Sequence, residues 1–155
     1  LKAVTWGRHR YHAIIPCCCE LYQKDVAVIP EGTIDIHRLL SQKLILTCKG
    51  SAIRKQIDQL FSIYKVEPKI LMESTEINTV QKLAMNNLGV TFLPESVYVK
   101  ENPSQYNIYQ VPFDELNLDY FIAYHCERKL TAIDKNLLSS FLNQKQDIEG
   151  IGEKV

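Results

Sequence analysis

Three hydroxyl residues stand where apolar runs give way to helix-period segments. Ser51 follows the run Leu44–Cys48, and Ser74 and Thr75 follow the run Lys69–Glu73. A helix start leaves backbone N–H groups without intrahelical partners, and its dipole favours an anion or a carbonyl oxygen. Hydroxyls at such places do one of two things: they cap the helix, or they add donors to a ligand site. Capping is their ordinary role. Lys49 stands beside the first hydroxyl and suits an anionic group. Asn78 lies one turn into the second helix. If the two apolar runs lie parallel in one sheet, both helix starts meet at the same edge, which favours a small polar or anionic ligand.

Thiols are the other reactive groups. The chain has Cys17, Cys18, Cys19, Cys48 and Cys126, an odd count with three adjacent. That is a poor disulfide framework and points to a reducing compartment. His9, His12, His37 and His125 could be added to a metal or redox scheme, but neither a CxxC pair nor a paired-ligand spacing is present. In a strand, Cys17 and Cys19 would share one face and Cys18 the other. Buried free thiols at a strand end are the expectation, with no metal and no cofactor. GxSxG, P-loop and GxGxxG patterns are absent. A Cys–His pair meeting in space would make a thiol-dependent enzyme, but nothing in the sequence promotes it, so the expectation is that this is not an enzyme.

Composition sets the frame. At 155 residues, with 46% hydrophobic and 23% charged residues, the chain suffices for one domain or two small lobes. Folding at this size buries roughly 68–70% of the surface exposed in the unfolded chain. Eighteen Lys plus Arg balance eighteen Asp plus Glu, and Arg8-His9-Arg10 is the densest basic spot. Clustered positive charge for a phosphate backbone is therefore missing, and any contact with DNA is expected through a domain outside this chain. No apolar run approaches the ~20 residues of a membrane span, and the first residues lack the pattern of a secretion signal. Because the sequence starts at Leu1 rather than Met, the expectation is that it begins inside a longer protein.

The elements that would position these groups are legible in the periodicity. Residues 11–19 read as a strand ending near Pro16, Pro30-Glu31-Gly32 as a turn, and Asp35–Leu40 as a helical turn. Leu44–Cys48 suits a strand buried on both faces. Ile53, Ile57, Leu60, Phe61 and Tyr64 then define one face of a helix capped by Ser51, with Arg54, Lys55 and Asp58 assigned to the other face. Lys69–Glu73 is the next strand. Ile77, Val80, Leu83, Ala84 and Leu88 form a second helix, capped by Ser74 or Thr75 and ended at Leu88-Gly89, before a third strand at Val90–Leu93. A short helix is expected from Pro94 with Glu95 in its first turn. Asn107–Phe113 and Leu118–His125 read as strands. Thr131, with Asp134 in a capping-box position, opens a last helix with the apolar face Ile133, Leu137, Phe141 and Leu142, and residues 144–155 read as a polar, frayed tail.

Leu44–Ser96 resembles the effector-binding domain of LysR-type transcriptional regulators. The resemblance rests on an ordered set: an apolar strand, Gly50-Ser51, the helix with Ile57-Asp58-Gln59-Leu60-Phe61, the link Val66-Glu67-Pro68-Lys69-Ile70, a strand ending in Glu73-Ser74-Thr75-Glu76, then Thr79-Val80-Gln81-Lys82-Leu83-Ala84 and Leu88-Gly89-Val90-Thr91-Phe92-Leu93-Pro94. Where the family usually has the first glycine of its Gly-Leu-Gly, this chain has Asn87, which tolerates the left-handed conformation better than most residues. The flanks fit more loosely, with Tyr11–Pro16 similar to the strand entering the lobe and Phe121–Leu142 to the strand and helix leaving it.

The resemblance implies an α/β, periplasmic-binding-protein-like fold: a βαβαβ parallel-sheet lobe with a partial second lobe. The divisions it implies are residues 1–14 as an entry strand or remnant of the first lobe, 15–122 as the second effector-binding lobe, and 123–155 as the return strand, C-terminal helix and tail. The family's helix-turn-helix and linker helix have no counterpart here, nor does the first strand–helix–strand portion of the first lobe. By resemblance, Thr75 is the leading ligand contact, followed by Ser74, Ser51, Asn78 and Lys49. The implied function is sensing a small polar or anionic metabolite in the cytoplasm and controlling a DNA-binding domain. The implied partners are that effector and a second copy of the chain, joined through the effector lobes with the Ser51–Lys65 helix and its Phe61 and Tyr64 as the edge; no membrane is involved. A solute-binding lobe serving a transporter shares the fold and is the alternative, ahead of the thiol-dependent enzyme.

Overall fold

In the computed structural model, which describes residues 1–149 without the side chains of Trp6 and residues 144–149, the chain runs β1 (Lys2–Pro16), β2 (Val28–Ile29), α1 (Ile36–Leu40), β3 (Lys43–Thr47), α2 (Ala52–Tyr64), β4 (Lys69–Ser74), α3 (Ile77–Met85), β5 (Thr91–Pro94), β6 (Tyr106–Gln110), β7 (Asn117–Tyr124) and α4 (Ala132–Glu149). It divides into two compact units, one of Arg10–Leu118 and one of Leu1–His9 with the residues from Asp119 onward. The cuts fall inside β1 and β7.

Within Arg10–Leu118, the apolar run at Leu44 forms β3, whose residues Leu44–Thr47 are all buried. β4 runs parallel to it, with Lys43 opposite Lys69 and Thr47 opposite Ser74. Two parallel strands need a crossover, and α2 supplies it. Among the described residues, β4 pairs with β3 alone, and a register shift there passes over Leu71. Leu71 and Met72 are consequently exposed at 52% and 48%.

The third strand departs from expectation. Val90 alone bridges to Leu44 in parallel, with Val90 N donating to Lys43 O at 2.8 Å and Ile45 N to Val90 O at 2.9 Å. Thr91–Pro94 then leaves as β5 and pairs antiparallel with β1, Tyr11 opposite Pro94 and Ile14 opposite Thr91. β1 also pairs antiparallel with β6, and β6 takes β2 in parallel. The βαβαβ path is present, but its last strand belongs to a mixed sheet. Gly89 makes the close approach possible: a Cβ there would sit 2.8 Å from Lys43 O.

Several local expectations are corrected. Arg54 is buried rather than on the outer face of α2, at 2% exposure. Neither Ser74 nor Thr75 caps α3; its N-cap is Glu76, with no side-chain cap bond. Pro94 closes β5 instead of opening a helix, since Glu95 N donates to Arg10 O and Val97 N to Pro94 O in a turn. Phe61 is buried and not on an outer edge, while half-buried Tyr64 donates its hydroxyl to Glu115 Oε1 at 2.6 Å. The apolar residue α2 does present outward is Ile63, at 69% exposure.

Other expectations match. The expected helical turn is α1, to which the structure adds Asp35 as N-cap through a bond from Arg38 N, and Asn87 takes the left-handed conformation with φ +69°. The core around Tyr11, Ile15, Leu44, Leu46, Ile57, Phe92 and Tyr109 joins both sheets of this unit to α2.

In the other unit, β1 pairs with β7, where Arg8 meets Asp119 at 2.8 Å and the His9 ring packs edge-on against Tyr120. Thr131 and Asp134 form a reciprocal capping box: Thr131 N donates to Asp134 Oδ2 at 2.9 Å, and Asp134 N to Thr131 Oγ1 at 3.2 Å. On the apolar face expected of α4, Ile133 and Leu137 are exposed at 77% and 68%, while Phe141 is half-buried. Residues 144–149 extend this helix instead of fraying, and residues 150–155 of the expected tail lie outside the described residues.

Candidate functional site

Parallel strands deliver their carboxyl ends to one side, and here that side carries all five sequence candidates. Thr47 and Ser74 end β3 and β4 in register. Cys48 N donates to Ser74 O at 3.0 Å, which holds the two strand ends together. Gly50, at φ +102°, turns the chain into α2. Lys49 lies exposed on that turn, and Thr75 and Asn78 are exposed where β4 passes into α3.

The hydroxyls divide by what they already bond. Ser51 Oγ accepts from Arg54 N at 3.0 Å and lies 2.8 Å from Thr47 Oγ1, so it is a helix cap. Ser74 Oγ accepts from Glu76 N at 3.1 Å, one residue short of the helix. α3 begins without a side-chain cap, while the last of its first-turn donors, Thr79 N and Val80 N, turn inward to Glu76 O. Thr75 and Asn78 stand exposed beside this uncapped helix start.

Arg54, expected on the outer face of α2, instead builds the floor beneath this edge. Its Nη1 donates to Thr47 O at 3.0 Å and to the Glu73 carboxylate, and its Nε to Asp58 Oδ1 at 2.7 Å. One guanidinium thus ties the end of β3, the end of β4 and the first turn of α2. Burial pulls its pKa down, but the bonds to Asp58 and Glu73 outweigh that and the net shift is upward, so Arg54 stays charged. The signal was in the spacing. Arg54, Ile57 and Phe61 stand at i, i+3 and i+7 on one stripe, and Asp58 at i+4 supplies the counter-charge.

The cysteines are also placed differently from expectation. They occupy a turn after β1, where Cys19 N donates to Pro16 O, so strand alternation does not apply. Cys17 and Cys18 are exposed and Cys19 is half-buried; all are free thiols. Among the described residues, no group of three His, Cys, Asp or Glu could hold a metal.

The family model described as LysR substrate binding domain matches residues 24–145. The chain belongs to this LysR family. Among curated relatives it is 30% identical over 63 residues to the uncharacterized HTH-type transcriptional regulator YybE of Bacillus subtilis (strain 168), and 31% identical over 67 residues to the nitrogen assimilation regulatory protein nac of Escherichia coli (strain K12). These matches cover 41% and 43% of this chain and 22% of each relative, so the chain corresponds to a minor part of their length.

Solved structures show the same LysR effector-domain fold. The regulatory domain of Synechocystis PCC6803 CcmR in complex with 2-PG superposes with a TM-score of 0.73 at 16% identity, over 93% of this chain and 66% of that one. The effector binding domain of QuiR in complex with shikimate gives 0.68 at 14%, over 94% and 66%. Full-length BenM, also of the LysR fold, gives 0.67 at 18%, over 96% and 47%. Among the described residues, no helix is long and apolar enough to cross a membrane.

Proposed function

We propose that this LysR-family chain senses a small polar or anionic metabolite at the carboxyl edge of β3 and β4. The observation that carries the reading is the start of α3: it has no side-chain cap, and Thr75 and Asn78 stand exposed beside it. Thr75 is the leading contact. Ser74 and Asn78 add donors, and Lys49 complements negative charge. Ser51 serves the site through the fold, as the cap that fixes the neighbouring helix. CcmR and QuiR, of the same fold, were determined with 2-PG and shikimate, and this supports a small-molecule ligand for the domain.

The bound metabolite acts by differential affinity: whichever arrangement of the regulator it binds more tightly gains population, by as much free energy as the affinities differ. The chain carries no catalytic role in this reading. DNA is contacted through a domain outside it, as the regulator names of its relatives suggest, and the setting is the cytoplasm. Copies associate through the effector lobe. Since Phe61 is in the core, the apolar residues available for that contact are Ile63 on α2 and Leu71 and Met72 on the edge strand β4.

A panel of carboxylated and phosphorylated metabolites, screened by thermal shift, tests the site. A compound that raises the melting temperature of the wild type and leaves Thr75→Ala unmoved supports it. An equal shift in both proteins removes Thr75 from the site. Sedimentation of wild type beside Leu71→Asp tests the association, which predicts a dimer that the charge dissociates; a wild type monomeric at high concentration rejects it.

A further inference from the structure

A cavity lies at the opposite end of the parallel strands from the hydroxyls. It measures about 540 Å³ and includes Lys43 and Lys69, the first residues of β3 and β4, with Pro16, Leu88 and Val90 as apolar wall. That volume falls within the roughly 300–1,000 Å³ of small-molecule sites. Cys18 and Cys19 also line it. Nothing in the proposed sensing mechanism uses this cavity or the thiols.

The three adjacent cysteines are not equivalent. Cys19 is half-buried, its Sγ donates to Gln42 Oε1 at 3.3 Å, and burial pushes its pKa up, so it stays a protonated thiol. Cys17 is exposed and its Sγ donates to Asn87 Oδ1 at 3.5 Å, outside the cavity lining. Cys18 alone of the three is both exposed and part of the lining. Its place is fixed on two sides: its N donates to Asn87 Oδ1 at 2.8 Å, and its Sγ to Asn87 O at 3.3 Å. Asn87 is itself fixed in the left-handed conformation that ends α3.

Charge in the cavity favours an anion. Lys43 and Lys69 supply two ammonium groups. The one carboxylate in the lining, Glu20, accepts from Gln42 Nε2 at 3.0 Å and pairs with Arg38 at 3.5 Å. A ligand with an anionic end and an apolar body therefore matches the walls, and a positioned thiol waits beside it.

We propose that Cys18 is a covalent modification site for α,β-unsaturated carbonyl compounds bearing a carboxylate, which the cavity gathers through Lys43 and Lys69. The step is a conjugate addition. The sulfur forms a bond to the β-carbon as the carbon–carbon π bond breaks, and the thiol proton ends on the α-carbon by way of water. No oxidant or reductant is required. Prior binding in the cavity converts a bimolecular addition into a local one, which raises its rate at low reagent concentration.

The test labels the full wild-type chain with N-ethylmaleimide, a neutral conjugate acceptor, and with 6-maleimidohexanoic acid, its carboxylated counterpart, and follows each cysteine by peptide mass spectrometry. Exposed Cys126 is the internal reference. With the carboxylated reagent, the Cys18 rate saturates with concentration and exceeds that of Cys126 by about tenfold at low reagent, while Cys126 stays linear. The double variant Lys43→Gln, Lys69→Gln loses the preference for the carboxylated reagent. Linear labelling of Cys18 at the rate of Cys126 with both reagents overturns the proposal, as does fastest labelling at Cys17 or Cys19.

Discussion

Arg54 donates from Nη1 to the backbone carbonyl of Thr47 at 3.0 Å, from a side chain only 3% exposed. That bond holds the last residue of β3 against the first turn of α2. Its second carboxylate partner, Glu73, lies one residue before Ser74, so the same cation sets where both strand ends stop. The candidate site rests on this link, because Ser51, Ser74 and Thr75 are positioned only as well as the strand ends beneath them.

Replacing Arg54 therefore costs both stability and binding. Arg54→Ala is expected to destabilise the domain by about 2 kcal/mol, because the Thr47 carbonyl loses a charged donor and the aliphatic stem leaves a void. Arg54→Lys recovers little of this, since one ammonium cannot reproduce the planar fork that reaches Asp58, Glu73 and Thr47 together. Urea denaturation of the three proteins measures it. A lysine variant as stable as wild type would show that only the charge matters.

Ser51 and Thr75 are expected to separate cleanly. Ser51→Ala removes a helix cap and lowers stability by about 1 kcal/mol, with the ligand response kept. Thr75 is exposed, and among the described residues its side chain makes no hydrogen bond, so Thr75→Ala leaves the melting temperature close to wild type. Paired denaturation and ligand-shift curves decide it. A strongly destabilised Thr75→Ala protein would mean that its hydroxyl serves the fold.

Gly89 is a packing position. A methyl group there meets Lys43 O at 2.8 Å, and backbone cannot step aside as a flexible side chain does. Gly89→Ala is expected to lose about 2 kcal/mol and to weaken the Val90–Lys43 bond. Hydrogen exchange at Val90 N reports that bond directly. Unchanged protection would contradict the close-approach account.

Much of the fold was legible because period and punctuation agree in it. The stripe Ile57, Leu60, Phe61 gave α2, Ser51 gave its cap, and Thr131 with Asp134 gave the start of α4. Two apolar runs, each followed by hydroxyls at a helix-period start, located the edge where those hydroxyls gather. What escaped reading were long-range choices. The bond between Arg54 and Glu73 spans 19 positions, and nothing local marks an arginine as buried except its place on the apolar stripe. β5 leaves the parallel sheet because β1 offers an antiparallel partner more than seventy residues away in sequence. The cysteines were misplaced for a related reason: Pro16 ends the ladder, so period-two alternation stops one residue before Cys17.

His12 makes stability sensitive to acid. Burial holds its pKa below the usual value, and the nearby Arg10 lowers it further against the opposing Glu95. The unfolded chain therefore takes up a proton at a higher pH than the folded one. Stability from this residue is fully present above the unfolded pKa of about 6.5 and is lost as pH falls from there toward the folded value. His12→Gln should flatten the decline of the unfolding free energy as pH falls below about 6.5. Denaturation series across that range compare the slopes, and identical slopes would remove His12 as the cause.

The central claim is that an anionic or polar metabolite binds at the open start of α3. Calorimetric titration of wild type and Thr75→Ala with the best compound from the metabolite panel tests it most directly. The account predicts saturable binding to wild type and affinity weakened at least about tenfold in the variant, which corresponds to roughly 1.4 kcal/mol, with both proteins equally folded. Equal affinity in the two would place the ligand elsewhere and contradict it.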